Sequence, residues 1–297
     1  MTTNETPRYY VPASSPWPIV GSIGLILIAI GGANFIQQST GIVPNEGTIP
    51  GGPVLAVGFA IIIFMMFSWW RNTINESMAG MNSKMLDVSY RQGMMWFITS
   101  EVMFFAAFFG VLFYVRAISI PWLGGAGNNV MTHAVLWPEF LPQWPLTTSP
   151  GGENYGSVGP WGLPLINTIL LLTSSITVTI AHHALIAGNR KNLILGLAAT
   201  VALGVVFLFF QVEEYIHLYS EVGLTLESGV YGSTFFLLTG FHGMHVTIGT
   251  IMLTVMLLRS IKGHFTKENH FAFEATAWYW HFVDVVWLGL FIFVYIL

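Results

Sequence analysis

The sequence predicts an all-α integral membrane protein with seven transmembrane helices, and three observations carry that prediction. The 297 residues are 54% hydrophobic and only 8% charged, where a soluble domain is about 25% charged, and the mean hydropathy is +0.67. Seven apolar spans, at 17–36, 54–70, 93–115, 163–187, 193–212, 234–258 and 275–295, are close to the ~20 residues that cross a bilayer as a helix. When the connections alternate across the membrane, Arg8, Arg71, Lys84, Arg91, Arg190, Lys191, Arg259, Lys262 and Lys267 fall on one side and only Arg116 on the other, so nine of the ten basic residues agree. The positive-inside rule makes that side cytoplasmic, which puts the N-terminus inside and the C-terminus outside.

Taken in order, residues 1–16 are polar and proline-rich and read as a cytoplasmic tail. They lack the basic start, short apolar core and small-residue site of a removable signal peptide. Spans one and two form an N-terminal pair over 17–71, closed by Trp69-Trp70-Arg71 at the inner interface. A cytoplasmic connection, 72–92, leads to five further spans that make up a bundle over 93–297. The outer connections hold most of the remaining acids, Glu46, Glu139, Glu153, Glu213, Glu214, Glu221 and Glu227. The longest, 116–161, is dense in Pro, Gly and Trp and is expected to pack by its aromatics as a lid over the outer end.

Composition also removes several functions. There is no cysteine, so disulfides, iron–sulfur clusters, a thiolate-ligated copper centre and covalently attached haem are excluded. No basic tract invites a nucleic acid.

The ionisable residues inside the spans are the informative ones, because each costs from ~2.5 kcal/mol in hydrocarbon unless it faces protein and finds a partner. Glu101 sits mid-span with Phe97, Phe104, Phe105 and Phe108 at helical neighbour positions; it is expected to be neutral or paired, serving either proton handling or a hydrogen bond to a neighbouring helix. On the last span Glu274, Trp278 and His281 share one face, and Asp284 follows His281 at i, i+3, a spacing at which the two can satisfy each other. His182-His183 and His242/His245 invite a metal reading, but two clusters on separate spans read more simply as helix-packing histidines. Gly240, Gly243 and Gly249 allow close helix approach, and Thr168, Thr173, Ser174, Ser175 and Thr177 can hydrogen-bond across a helix interface. At the inner interface Trp70, Arg71 and Glu76 form one cluster, and Arg259, Lys262 and His264 another, suited either to general anchoring or to an anionic lipid headgroup.

Several words, in order across nearly the whole chain, resemble subunit III of the haem–copper cytochrome c oxidases. They are Ser15-Pro16-Trp17-Pro18, Trp69-Trp70-Arg71, Ser100-Glu101-Val102-Met103-Phe104-Phe105, Asn167-Thr168, Ala181-His182-His183, Tyr231-Gly232-Ser233-Thr234-Phe235-Phe236, Thr239-Gly240-Phe241-His242-Gly243 and the run from Trp278 to Trp287. The resemblance implies two helices splayed from a five-helix bundle, with phospholipid filling the cleft between them. It implies a chain without a catalytic residue, metal or redox cofactor of its own, haem and copper residing in partner subunits. The implied partners are the haem–copper subunit I and the copper-bearing subunit II, in a complex that takes electrons from cytochrome c to oxygen. The chain would stabilise subunit I and support proton uptake. Glu101 matches the family's intramembrane glutamate, and Trp70, Glu76, Arg259 and His264 match its lipid-headgroup positions. Two departures stand out. The stretch after Glu76 reads Met78-Ala79-Gly80-Met81-Asn82-Ser83 where the family often has paired histidines. The outer connections are also longer than in the compact mitochondrial form, which points to a bacterial plasma membrane. Two rival readings of the same ionisable groups are a self-contained proton-coupled transporter and a histidine-ligated membrane oxygenase.

Overall fold

A computed structural model describes residues 14–42 and 49–297; most of the tail 1–16, with Arg8, and the outer acid Glu46 lie outside the described residues. The described residues are helical apart from connections and one isolated bridge between Thr148 and Asn154. The elements are α1 (Trp17–Ser39), α2 (Gly51–Met78), α3 (Lys84–Tyr114), α4 (Ile120–Leu123), α5 (Val130–Leu136), α6 (Leu163–Ala187), α7 (Arg190–His217), α8 (Gly229–Lys262) and α9 (Phe271–Leu290), with π-helical turns after α3, α7 and α9. Among the described residues seven helices are long and apolar enough to cross a membrane. Each begins or ends where local chemistry demands. Proline stands in the first turn of α1 and α6, where its missing N–H costs nothing. Asn189 caps α7 by accepting from the Asn192 N–H at 3.2 Å. Gly188 and Gly263 stop α6 and α8 at φ of 77° and 76°, a left-handed conformation that glycine adopts without strain.

Most helices run past their apolar spans. The connection read from sequence as 72–92 is mostly helix, with 79–83 the non-helical part. The correction at the other end of the molecule matters more. Span five was expected to stop at 212, leaving Glu213 and Glu214 in an outer connection, but α7 continues to His217 and its π-helical turn to Val222. Gln211, Glu214 and Leu218 recur on one face at i, i+3 and i+7, and all three are buried; helical periodicity outlasts hydropathy there.

The chain divides into two compact units, residues 1–90 and 91–297. In the first, α1 and α2 lie together along glycines spaced seven apart. A Cβ on Gly31 would stand 2.3 Å from the Leu55 nitrogen, and one on Gly51 would stand 2.2 Å from that of Phe35. Only backbone fits at those crossings, so the pair is joined by close van der Waals contact of the kind that holds helices in lipid.

In the second unit α9 is the packing centre. Trp280, Trp287, Tyr279 and Val283 are all but inaccessible, and α6, α7 and α8 pack in sequence with α6 and α8 also against α9. α3 adds an aromatic seam. Phe104 meets Phe241 of α8 at 5.1 Å and Phe105 meets Phe282 of α9 at 6.1 Å. The 116–161 segment begins as the continuation of α3 through α4 and then folds onto the bundle through buried Phe140 and Leu146, with Trp144 edge-on to Tyr231 at 5.3 Å.

The glycines of α8 separate into two kinds. A Cβ at Gly249 would meet the Trp280 indole at 2.8 Å, whereas one at Gly243 would meet nothing within 4 Å. Gly249→Ala is therefore expected to destabilise the chain by about 1–3 kcal/mol through overpacking. Gly243→Ala should be neutral or stabilising by roughly 0.5–1 kcal/mol, since Ala is the better helix former. Thermal unfolding of both variants in detergent checks the difference.

Candidate functional site: a buried carboxyl–imidazole network

Polar side chains inside the bundle are joined across helices. The Trp280 indole N–H donates to Ser174 Oγ at 2.8 Å and that of Trp287 to Thr168 Oγ1 at 2.9 Å, fixing α9 to α6 at two levels. Thr177 and Thr200 bond at 2.8 Å and tie α6 to α7. Thr173 instead bonds the Ile169 carbonyl of its own helix. His242, fully buried, places Nε2 3.1 Å from the Val283 carbonyl and lies 5.0 Å from the Trp287 ring.

Glu101 enters this network from α3. Its Oε2 lies 2.9 Å from Nε2 of His245 on α8, and Nδ1 of that imidazole lies 2.6 Å from the Phe241 carbonyl. A carbonyl only accepts, so Nδ1 carries a hydrogen and donates. The contact between Nε2 and Glu101 then holds one proton, either as acid against neutral imidazole or as carboxylate against imidazolium. Phe104 and Phe105 wall the pair at 5.9 and 5.0 Å from the His245 ring, and Tyr279 stacks on it at 6.4 Å. Of the aromatic residues expected around Glu101, Phe104 and Phe105 stand against the ring of its partner His245, which lies 144 residues away and reads from sequence as a packing histidine.

The pairing of His281 with Asp284 is not made. His281 Nδ1 bonds Ser175 Oγ at 2.6 Å, across to α6, and Nε2 lies 3.4 Å from Thr179. Asp284 is buried near Ser175, and neither carboxyl oxygen makes a well-formed hydrogen bond among the described residues. Helical spacing puts the two on one stripe, but a hydroxyl on the facing helix meets the imidazole first. Glu274 is satisfied elsewhere. It accepts from Arg91 at 2.6 Å, and Arg91 also lies over the Phe271 ring at 5.0 Å.

The lipid candidates lie in different units. Trp70, Arg71 and Glu76 sit on α2 in the first, with Trp70 and Arg71 exposed. In the second, Arg259 is buried beneath the Phe265 ring, 4.6 Å from guanidinium carbon to centroid, and its Nε has no hydrogen-bond partner among the described residues. His264 follows the end of α8. Burial, then the charges of Arg259 and Lys262, hold its imidazole below the ordinary histidine range. His182 stands near His183 and His270, at 6.5 and 5.6 Å between rings, and no group of three metal-ligating side chains occurs among the described residues.

The sequence pattern of the family described as cytochrome c oxidase subunit III matches residues 7–297. The chain belongs to the cytochrome c oxidase subunit III family. It is 41% identical over 296 residues to cytochrome c oxidase subunit 3 of Marchantia polymorpha, covering 99% of this chain and 98% of that one. The subunit 3 of Prototheca wickerhamii is 42% identical over 288 residues, covering 97% and 96%. That of Equus caballus is 40% identical over 294 residues, covering 99% and 98%. The resemblance read from the motif words is thus a family membership spanning the whole bundle, and as a member of this family the chain is a component of an oxidoreductase complex. Glu101, on the third long helix, and the α9 tryptophans lie within the matched region.

Among the buried polar residues, sequence reasoning missed Gln211, gave Asn167 no role beyond its place in a family word, and missed the roles of Glu214 and the Arg91–Glu274 pair. Asn167 is fully buried with both amide atoms unpartnered, and Gln211 and Glu214 face each other within α7. A signal existed for the last two: Gln-x-x-Glu at i, i+3, continuing a stripe that begins at Phe207.

Proposed function

We propose that this chain is the non-redox core subunit of a cytochrome c oxidase. In this reading it binds and stabilises the haem–copper subunit I beside the copper-bearing subunit II, supports proton uptake and holds structural phospholipid while electrons pass from cytochrome c to oxygen. The observation that carries the proposal is the family match over residues 7–297, joined to a bundle in which three histidines are held by protein groups. His242 is committed to a backbone carbonyl, His245 to Glu101 and a carbonyl, and His281 to Ser175. That donor set suits a scaffold rather than a haem or copper site. A self-contained transporter asks for discontinuous helices around a midplane site, whereas α6, α7 and α8 run unbroken over 25, 28 and 34 residues. The membrane we propose is a bacterial plasma membrane, with the N-terminus cytoplasmic and the C-terminus periplasmic. The distribution of Lys and Arg supports that orientation.

Phospholipid is the natural complement of Arg259. A buried guanidinium without an acceptor at a helix end favours an anionic headgroup, and the exposed Trp70–Arg71 pair on α2 offers a second anchoring point. Arg259→Ala is expected to lose tightly bound anionic lipid after detergent extraction. Unchanged lipid stoichiometry in that variant would leave the cluster as a general interface anchor.

Glu101 is assigned a structural and regulatory role: it fastens α3 to α8, and its loss affects endurance more than initial rate. Glu101→Gln keeps the shape and a hydrogen-bonding group beside His245 and removes the ability to ionise. It is expected to leave initial oxygen consumption of the assembled complex largely intact. Glu101→Ala strands His245 at a cost of about 1–3 kcal/mol and should raise inactivation per turnover or loosen subunit association. Initial rate, inactivation per turnover and subunit retention, measured together, decide the matter. Immediate collapse of the rate in Glu101→Gln with every subunit retained would assign Glu101 an obligatory proton-transfer role instead.

A further inference from the structure

A second carboxyl, Glu214, is more deeply buried than Glu101 and takes no part in the Glu101–His245 contact. It lies on α7 at 3% exposure, with Gln211 one turn earlier at 5%. Two donors converge on a single oxygen. Gln211 Nε2 donates to Glu214 Oε2 at 3.2 Å, and the Tyr295 hydroxyl, from the π-helical turn after α9, reaches the same oxygen at 3.5 Å. Among the described residues the other oxygen, Oε1, has no partner, and neither has Oε1 of Gln211.

Those two orphaned oxygens belong to the same pair of side chains. An ionised carboxyl leaves both as acceptors without a donor, an arrangement that buried polar groups rarely tolerate. A single proton on Glu214 Oε1 resolves it. The amide N–H already donates to Oε2, and an acid O–H on Oε1 would have Gln211 Oε1, the other unpartnered oxygen of the pair, as its acceptor. Among the described residues no Lys or Arg is placed against the carboxyl. The titratable groups around Glu214 are Glu213, Tyr215, His217 and Glu221 along its own segment, Tyr231 from α8 and Tyr295. His217 is the only base among the residues lining the adjacent pocket, and it is engaged with Glu221 at 3.0 Å.

Glu214 also borders open space, although its Oε1 is itself shielded from solvent. It lines a pocket of about 540 Å³ at the end of the bundle that carries the acidic residues, whose wall includes Ser157, Gly159, Glu213, His217 and Ser220. We propose that Glu214 is a proton-binding site, a carboxylic acid closed against the Gln211 amide whose proton exchanges with water in this pocket. Because Oε1 is shielded from solvent, release follows a rotation of the carboxyl toward the pocket that Glu214 lines; the proton then passes to pocket water, and the Tyr295 hydroxyl and Gln211 amide remain as donors to the carboxylate. The site is separate from Glu101–His245, which lies on α3 and α8, and does not depend on the role assigned to that pair.

The test is infrared spectroscopy of the full-length chain in detergent at neutral pH, in H2O and in D2O. The wild type should show a protonated-carboxyl C=O band that Glu214→Gln removes and Glu101→Gln does not, and that band should shift in D2O. Glu214→Gln retains a two-point amide–amide contact, so it should fold with near-native thermal stability, whereas Glu214→Ala strands Gln211 and should melt lower. A Cβ at Gly159 meets nothing within 4 Å, so Gly159→Phe should fold, fill the pocket and slow the D2O shift. Loss of only carboxylate absorbance in Glu214→Gln would show an ionised group and overturn the proposal. A Glu214 band that does not exchange in D2O, or exchanges as fast in Gly159→Phe as in the wild type, would overturn the route through the pocket.

Discussion

Two indole N–H groups on α9 must find acceptors where no water reaches, and the five-helix unit is arranged around that requirement. Trp280 and Trp287 bring the largest side chains in the chain to the most buried helix, and each is useful there only if its single donor is met. Ser174 and Thr168 on α6 meet them, with Gly249 and Gly204 clearing space for the Trp280 ring. Dispersion and aromatic contact supply the attraction, since lipid tails compete with apolar packing far better than water does. The hydrogen bonds fix the register. A slide of α9 by one turn against α6 would exchange both indole contacts for unpaired donors.

The same rule explains where the ionisable groups went. Glu101 is held by His245, Glu274 by Arg91, and His281 by Ser175, each across an interface between helices far apart in sequence. Pairing across helices does what pairing within one helix cannot: it adds a tie between elements while satisfying the group. That is the physical reason the His281–Asp284 pair expected from i, i+3 spacing gives way. Glu101, Glu274 and His281 consequently act as fastenings, in keeping with a subunit whose proposed task is to support a catalytic neighbour.

Much of this was legible in the sequence, and what was not has a common cause. Hydropathy located the core of all seven long helices, and the word Ser100-Glu101-Val102-Met103-Phe104-Phe105 marked the important carboxyl with its aromatic wall. Helix ends were misjudged wherever polar residues continued a helical stripe, as from Gln211 to Leu218, because hydropathy reports lipid exposure and not helical geometry. Partners were invisible because they depend on tertiary contact. Nothing along α8 distinguishes His245, which meets Glu101, from His242, which meets a backbone carbonyl. Gly243 and Gly249 read alike for the same reason, although only Gly249 faces a tryptophan.

The central claim is that Glu101 is a fastening between α3 and α8 through His245. A double-mutant cycle on thermal unfolding of the full-length chain in detergent, using Glu101→Ala, His245→Ala and the double variant, tests it directly. The account predicts strong coupling: the double variant should be little less stable than either single one, with an interaction energy of about 1–3 kcal/mol, as for residues in one hydrogen-bonded contact. Losses that add to within roughly 0.5 kcal/mol, as for independent sites, would contradict it.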